Sequence, residues 1–230
     1  MLKNVKITTF PSLLDLLAPH SCLGCGRLGS ILCDRCKNYI LAQHSNICPN
    51  CKKPRSSNKC SHCKNLPPIY IVGSRHELLD NLIHTYKYDS VRALSKIFAE
   101  LLDQILPQDL PQNTCIVPLP TSTKHIRERS LDHTLLIAKH LAKLRHFQVR
   151  PILERNKNTV QVGASRTTRL AQATDAYIIN HNFKPDSNTT YLLLDDIWTT
   201  GASMLSALQK LHSAGAKNVQ IALLAYSELS

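Results

Sequence analysis

Long apolar runs are missing from these 230 residues. No stretch approaches the roughly 18 consecutive apolar residues that a membrane-crossing helix requires. Residues 1–20 also lack the uninterrupted apolar region and small-residue cleavage site of a signal peptide. The expectation is a soluble, cytoplasmic protein with no membrane span. Acids are scarce as well: 16 Asp+Glu stand against 28 Lys+Arg, a formal net charge of +12, so an anionic partner is expected. Aromatic residues make up 5%, which leaves few platforms on which a single nucleic-acid strand could stack. Glycines number seven, and they form neither the Gly-Lys-Ser/Thr loop of the Walker type nor the spaced run of a dinucleotide fingerprint. What is present is ordinary for a globular chain: 43% hydrophobic and 19% charged residues exclude a disordered polycation and allow one domain, or one plus a small one.

Eight of the nine cysteines lie near the front as four Cys-x-x-Cys pairs, Cys22/Cys25, Cys33/Cys36, Cys48/Cys51 and Cys60/Cys63. Disulfides are disfavoured in a reducing compartment, so paired thiols there are metal ligands before they are cross-links. Two intervening residues let one tight turn aim both sulfurs at a cation, and two such knuckles complete a tetrahedral structural zinc site. Eight thiolates suffice for two Zn²⁺. The simplest pairing is sequential, Cys22/Cys25/Cys33/Cys36 and Cys48/Cys51/Cys60/Cys63, with an interleaved pairing as the alternative. An iron–sulfur cluster or a redox dithiol would draw on the same residues. His62 is read as an exposed side chain rather than a ligand, and Cys115, inside the apolar run Thr114-Cys-Ile-Val-Pro118, as core. The composition changes after Cys63, and Pro67-Pro68 supplies a stop. These features divide the chain into a Cys-rich zinc-binding module at 1–68 and a second domain at 69–230.

Beyond that boundary apolar runs alternate with helical periodicity. Strands are expected at residues 69–73, 114–117, 191–194 and 219–225. Helices are expected at 77–86, at 91–105 capped by Ser90, at 131–144 and at 203–212. Such alternation predicts an α/β fold, a doubly wound and mostly parallel sheet whose ligands bind beyond the carboxyl ends of the strands.

The sharpest signal is Tyr191-Leu-Leu-Leu-Asp195-Asp196-Ile-Trp-Thr199-Thr200-Gly201-Ala202-Ser203. It reads as a buried strand, two acids, a short polar turn and a helix. Gly201 lets the backbone come close to a ligand, Thr199, Thr200 and Ser203 offer hydroxyls, and the helix start offers free N–H groups at its positive end. A phosphate suits that turn. Paired acids would repel the phosphate itself, so their work is to accept hydrogen bonds from neutral hydroxyls, as a ribose supplies. Trp198 is large for its place and is read as shaping the pocket mouth or packing at its edge. This stretch resembles the phosphoribosyl-pyrophosphate (PRPP) motif of type I phosphoribosyltransferases. The resemblance implies that Asp195 and Asp196 hold the ribose hydroxyls, and that Thr199, Thr200, Gly201, Ala202 and Ser203 hold the 5-phosphate.

Four cysteine pairs ahead of such a domain resemble the ComF family of competence-associated proteins. The matching segments are the front cysteines, Leu82-Ile-His-Thr-Tyr-Lys87-Tyr, Val117-Pro-Leu-Pro120 with Lys124 and Arg127-Glu-Arg129, and residues 161–177 with Arg166 and Arg169. Where the family continues its second arginine with Gly-Phe-Asn-Gln, this chain has Ser130-Leu131-Asp132-His133, and Gln172 replaces an Asn. The resemblance implies a type I phosphoribosyltransferase-like fold. It also implies a pocket for PRPP or a related ribose 5-phosphate, with Mg²⁺ accompanying PRPP if the chain is catalytic. Asp195, Asp196, Arg127 and Arg129 then form the catalytic set, and Lys87, Pro120, Lys124, Arg127, Arg166 and Arg169 join the substrate-binding set, because departing pyrophosphate needs positive groups. For Lys139, Lys143 and Arg145 the expectation is a solvated helix face.

Two functions follow. One is a PRPP-binding protein with phosphoribosyltransferase (glycosyltransferase) chemistry that supports DNA uptake and natural transformation alongside other competence proteins. The other is a non-catalytic accessory protein that binds single-stranded DNA and keeps a vestigial sugar-phosphate pocket. No segment identifies an acceptor base or amine.

Overall fold

The computed structural model describes residues 20–43, 46–89, 91–121, 132–156, 176–180 and 183–227. The strands are β1 (Ile69–Ser74), β2 (Thr114–Pro118), β3 (Gln148–Val149), β4 (Leu153–Arg155), β5 (Tyr177–Ile179), β6 (Thr190–Trp198) and β7 (Asn218–Tyr226). The helices are α1 (Asp34–Ala42), α2 (Glu77–Tyr88), α3 (Leu94–Ile105), α4 (His133–Arg145) and α5 (Ala202–Ser213). Five strands form one sheet in the order β1-β7-β6-β2-β3, and every neighbouring pair is parallel. β4 and β5 pair antiparallel as a separate ribbon.

Strand side chains alternate between faces, and the sheet shows it by feeding two cores. Tyr70, Val72, Ile116, Leu192, Leu194 and Leu224 join Leu79, Leu82, Phe98, Leu101 and Ile137 of α2, α3 and α4 on one face. Ile69, Ile71, Val117, Leu193, Ile221 and Leu223 join Met204, Ala207 and Leu211 of α5 on the other. Cys115 is buried in the second core, as expected. Helices on both faces of a parallel sheet are the doubly wound arrangement that the alternating pattern predicts.

Three details differ from the sequence reading. Helix α3 begins at Leu94 with Ala93 as its N-cap, because residues 91–93 form a preceding turn that packs Val91 on the core; Ser90 lies outside the described residues. Arg145 is not a solvated side chain. Its guanidinium bonds the Asp103 carboxylate and the carbonyls of Asp103, Leu106 and Pro107, and so occupies the unpaired carbonyl end of α3. The departure at Asp132-His133 is structural: Asp132 caps α4 by accepting from the Leu135 amide at 3.2 Å. His133 is buried against Tyr86, whose hydroxyl donates to the His133 carbonyl at 2.8 Å.

The cysteine segment packs against this sheet at its β1 edge. Cys22, Leu32, Cys36 and Ile40 join the first core, whereas Cys48, Cys60 and Leu66 join the second. Lys37 on α1 bonds Glu100 on α3 at 2.7 Å. Buried Arg55 donates to the Ile69 carbonyl at 2.8 Å, and the Ile69 amide donates to the Asn58 carbonyl at 2.8 Å. Those bonds occupy backbone groups of an edge strand that would otherwise invite a foreign strand.

Candidate functional site

β6 continues through both acids to Trp198 instead of ending before them, with Asp195 opposite Leu223 and Trp198 opposite Tyr226 on β7. The acids are therefore held on regular backbone at the carboxyl end of a central strand. The Asp196 amide donates to Asp195 Oδ1 at 2.9 Å. Burial, followed by the neighbouring Asp196 charge, pushes the Asp195 carboxyl up to about 8, against the opposing pull of Lys87 and Arg155. Lys87, in the last turn of α2, reaches across and pairs its Nζ with Asp196 Oδ2 at 2.6 Å, with both side chains largely buried.

The polar turn after the acids is shaped by glycine and tryptophan together. Gly201 has φ +80° and is the N-cap of α5. A Cβ at this position would stand 2.6 Å from Cε2 and 2.8 Å from Nε1 of the Trp198 ring. Trp198 is buried, so it lies beneath the turn as its floor rather than at a pocket mouth. Gly201 has no side chain with which to cap α5, and Thr199 and Thr200 are exposed beside it, the Ala202 amide donating to Thr200 Oγ1 at 3.4 Å. A helix N-terminus beside two hydroxyls and a close-approach glycine is built to receive an anion. Ala202 and Ser203 are half-buried in the first turn.

Sequence reasoning missed Arg155 and Tyr177. Arg155 ends β4, its Nε donates to the Pro120 carbonyl at 3.1 Å, and its guanidinium lies 5.6 Å from the centroid of the Tyr177 ring. It also acts electrostatically on Asp195. Tyr177 is buried on β5, and the same ring connects to Ser203 through a side-chain hydrogen bond. The available signal was Arg155 two residues after an apolar pair, Ile152-Leu153, which marks a short strand. Two- and three-residue strands leave almost no periodic trace. The structure thus brings together Asp195, Asp196, Lys87, Pro120, Thr199, Thr200, Gly201, Ala202 and Ser203, with Arg155 and Tyr177 added. Lys124, Arg127, Arg129, Arg166 and Arg169 lie outside the described residues.

The eight front cysteines gather as Cys22/Cys25/Cys33/Cys36 and Cys48/Cys51/Cys60/Cys63, the sequential pairing, with each quartet's sulfurs within 4.8 Å of one another. Sulfurs about 2.3 Å from a shared tetrahedral zinc would stand roughly 3.8 Å apart. Cys25 and Cys33 are 3.6 Å apart, as are Cys51 and Cys60. The donor set therefore fits structural zinc. In the first quartet burial raises the Cys22 thiol but amide hydrogens from Cys33, Cys25 and Gly24 bring it down to about 6; Cys36, buried beside the other sulfurs, is pushed to about 12. The second repeats this with Cys60 at about 6 and Cys48 at about 12. Each quartet has one sulfur that ionises readily and one whose deprotonation a cation must drive. His62 is exposed and outside both quartets, as expected. Among the described residues no third cluster of three or more ligating groups occurs.

No family model matches the chain. The competence protein ComFC of Streptococcus pneumoniae is 28% identical over 221 residues, covering 93% of this chain and 92% of that protein. Among solved structures, an adenine phosphoribosyltransferase from Trypanosoma brucei, in complex with AMP, pyrophosphate and ribose-5-phosphate, aligns with a TM-score of 0.39 at 11% identity, over 63% of this chain and 68% of that one. The adenine phosphoribosyltransferase of Leishmania tarentolae aligns with a TM-score of 0.38 at 14% identity, over 63% and 75%. No helix among the described residues is long and apolar enough to cross a membrane.

Proposed function

We propose that the chain is a ComF-type protein that binds PRPP or a related ribose 5-phosphate in a type I phosphoribosyltransferase-like pocket and serves natural transformation, a reading supported by its likeness to ComFC over nearly its whole length. The observation that carries this reading is the placement of Asp195 and Asp196 at the carboxyl end of β6, directly ahead of the N-terminus of α5 at Gly201. The 5-phosphate sits on the amides of residues 200–203 and the hydroxyls of Thr199, Thr200 and Ser203. The two carboxylates accept hydrogen bonds from the ribose hydroxyls, which an ionised acid does well and a phosphate could not. Lys87 Nζ stands 2.6 Å from Asp196 Oδ2 and steadies that carboxylate at the ribose end of the pocket. It is also placed to meet the pyrophosphate.

In transfer chemistry an acceptor nucleophile bonds to ribose C1 while the C1–O bond to pyrophosphate breaks, and the electron pair leaves with pyrophosphate. Positive groups stabilise that departing charge. Lys87 and Arg155 are the described ones, and Lys124, Arg127, Arg129, Arg166 and Arg169 complete the proposed set. Mg²⁺, when bound with PRPP, would supply further neutralisation of the pyrophosphate. Two Zn²⁺ held by the cysteine quartets act as staples between the front segment and the β1 edge of the sheet.

The biological setting belongs to the same proposal: a cytoplasmic protein working with DNA-uptake proteins on incoming single-stranded DNA, as the competence role in the relative's name implies. Lys52, Lys53 and Arg55 carry the front segment's charge unequally. Arg55 is buried against β1, and Lys52 donates to the Ser227 carbonyl at 2.9 Å over the Tyr226 ring, so both are structural ties. The primary test is calorimetric titration of PRPP with and without Mg²⁺ onto the native protein and onto Asp195→Asn/Asp196→Asn. Binding that the double substitution abolishes while the fold persists is expected; equal PRPP affinity in both proteins would overturn the reading.

A further inference from the structure

The opposite end of the sheet holds a second concavity. Lys59, Lys64, Thr190, His212, Lys217 and Gln220 line an open cleft of about 450 Å³ where the second cysteine quartet meets the amino ends of β6 and β7. Six residue steps along β6 separate Thr190 from Asp196, about 20 Å at the rise of a strand. A ligand in this cleft therefore cannot share the acid pair at the other end. We propose that the cleft is a second, independent binding site for the phosphate of a nucleotide.

Charge is the first support. Among the described residues the lining contains three lysines and a histidine but no carboxylate, and none of their ion pairs involves Lys59, Lys64 or Lys217. Three like charges around one hollow repel one another, and a bound anion reverses that cost. A lysine just past a helix end often serves only to satisfy the last carbonyls of that helix. That work is already done here: the amides of Ala214, Gly215 and Ala216 bond the carbonyls of Lys210, His212 and Leu211. Lys217 is thus left to the cleft.

The polar atoms narrow the ligand class. His212 Nδ1 is 2.9 Å from the Ala216 carbonyl, so this nitrogen carries its hydrogen and Nε2 is left as an acceptor. A ligand that joins a phosphate to N–H or O–H donors fits the lysines and this acceptor together, and a nucleotide has that composition. Free nucleotides and a nucleic-acid strand both offer it, and the volume lies within the range of small-ligand pockets.

The test uses fluorescence-detected binding of ADP and, separately, of a short oligothymidylate to the full zinc-loaded chain. Lys64→Glu/Lys217→Glu should weaken the bound probe at least about tenfold and lower its salt slope by about two. PRPP binding should be unchanged in this variant, because both lysines are exposed and remote from the acid pair. Asp195→Asn/Asp196→Asn should retain the probe, which separates the fate of this cleft from that of the sugar-phosphate pocket. Binding of ADP assigns the site to free nucleotides, and binding of the oligothymidylate alone assigns it to a strand. Failure of both probes to bind, or binding that is lost with the aspartates and indifferent to the lysines, would overturn the proposal.

Discussion

The two ends of the parallel sheet carry opposite electrostatic designs on the same strands. At the carboxyl end, acids and bases are interleaved: Asp196 pairs with Lys87, and Asp195 lies within the field of Lys87 and Arg155. At the amino end, lysines from the cysteine segment and from the α5–β7 turn face a hollow that no carboxylate lines among the described residues. Mixed charge suits a ligand with hydroxyls at one point and phosphate at another, whereas one sign of charge suits only an anion. The contrast shows why net charge is a poor guide to a site. Among the described residues, the more basic end is not the end with the more specific geometry.

The cysteine quartets are expected to matter to both ends at once, and their loss should be the largest effect. Each quartet enters a different core, one per face of the sheet. Chelation of zinc, or Cys36→Ala with Cys48→Ala, should cost roughly 5 kcal/mol or more and unfold the sheet with the front segment in one transition. Thermal circular dichroism with parallel zinc analysis reads this. An unchanged sheet transition would show that the front segment is an appendage and would break the link between the two ends.

Gly201→Ala should come next and should affect only the carboxyl end. The left-handed backbone at φ +80° and the Trp198 ring in the path of a Cβ cost roughly 1–3 kcal/mol. PRPP affinity should fall about 100-fold by calorimetry as the turn shifts. Lys87→Met should have a smaller consequence, about tenfold in PRPP affinity and roughly 1–2 kcal/mol in stability, because it strands a partly buried Asp196 carboxylate. Equal affinity in the variant would remove Lys87 from the ligand set.

The pH dependence should be the mildest effect and has a defined sign. The Asp195 pKa is raised on folding to about 8, so the folded state holds that proton more tightly than the unfolded chain does. Its contribution to stability is full at low pH and drains as pH rises through about 8. Affinity for ribose 5-phosphate should run the other way over the same interval, since the ionised carboxylate is the better acceptor for ribose hydroxyls. Chemical denaturation and calorimetry across that range check the two slopes. Parallel slopes would show that Asp195 does not meet the ligand in its ionised form.

Much of this molecule was legible in the order of its residues. Period-two and helical patterns placed β1, β2, β6 and β7 and helices α2, α4 and α5 to within a few residues, because buried strands and amphipathic helices leave strong periodic traces. The start of α3 was misplaced, since a turn that buries Val91 continues the apolar rhythm without being helical. The role of Arg145 was misread because the carbonyls it binds, at Asp103, Leu106 and Pro107, belong to a helix some 40 residues earlier in the chain. Arg155 and Tyr177 escaped notice for a related reason. Their significance comes from Pro120 and Ser203, which the fold brings to them.

The sequence by itself determined the chemistry that depends on neighbouring residues: four Cys-x-x-Cys knuckles, two acids at the end of an apolar strand, and a glycine opening a helix. Local spacing is enough for these because one turn or one strand positions all the atoms involved. Only the tertiary structure decided which knuckles share a site, that the two quartets clasp opposite faces of one sheet edge, and that Lys87 meets Asp196. Those facts join residues from about ten to more than a hundred positions apart. Long-range packing and parallel strand order set such distances, and no local pattern along the chain encodes them.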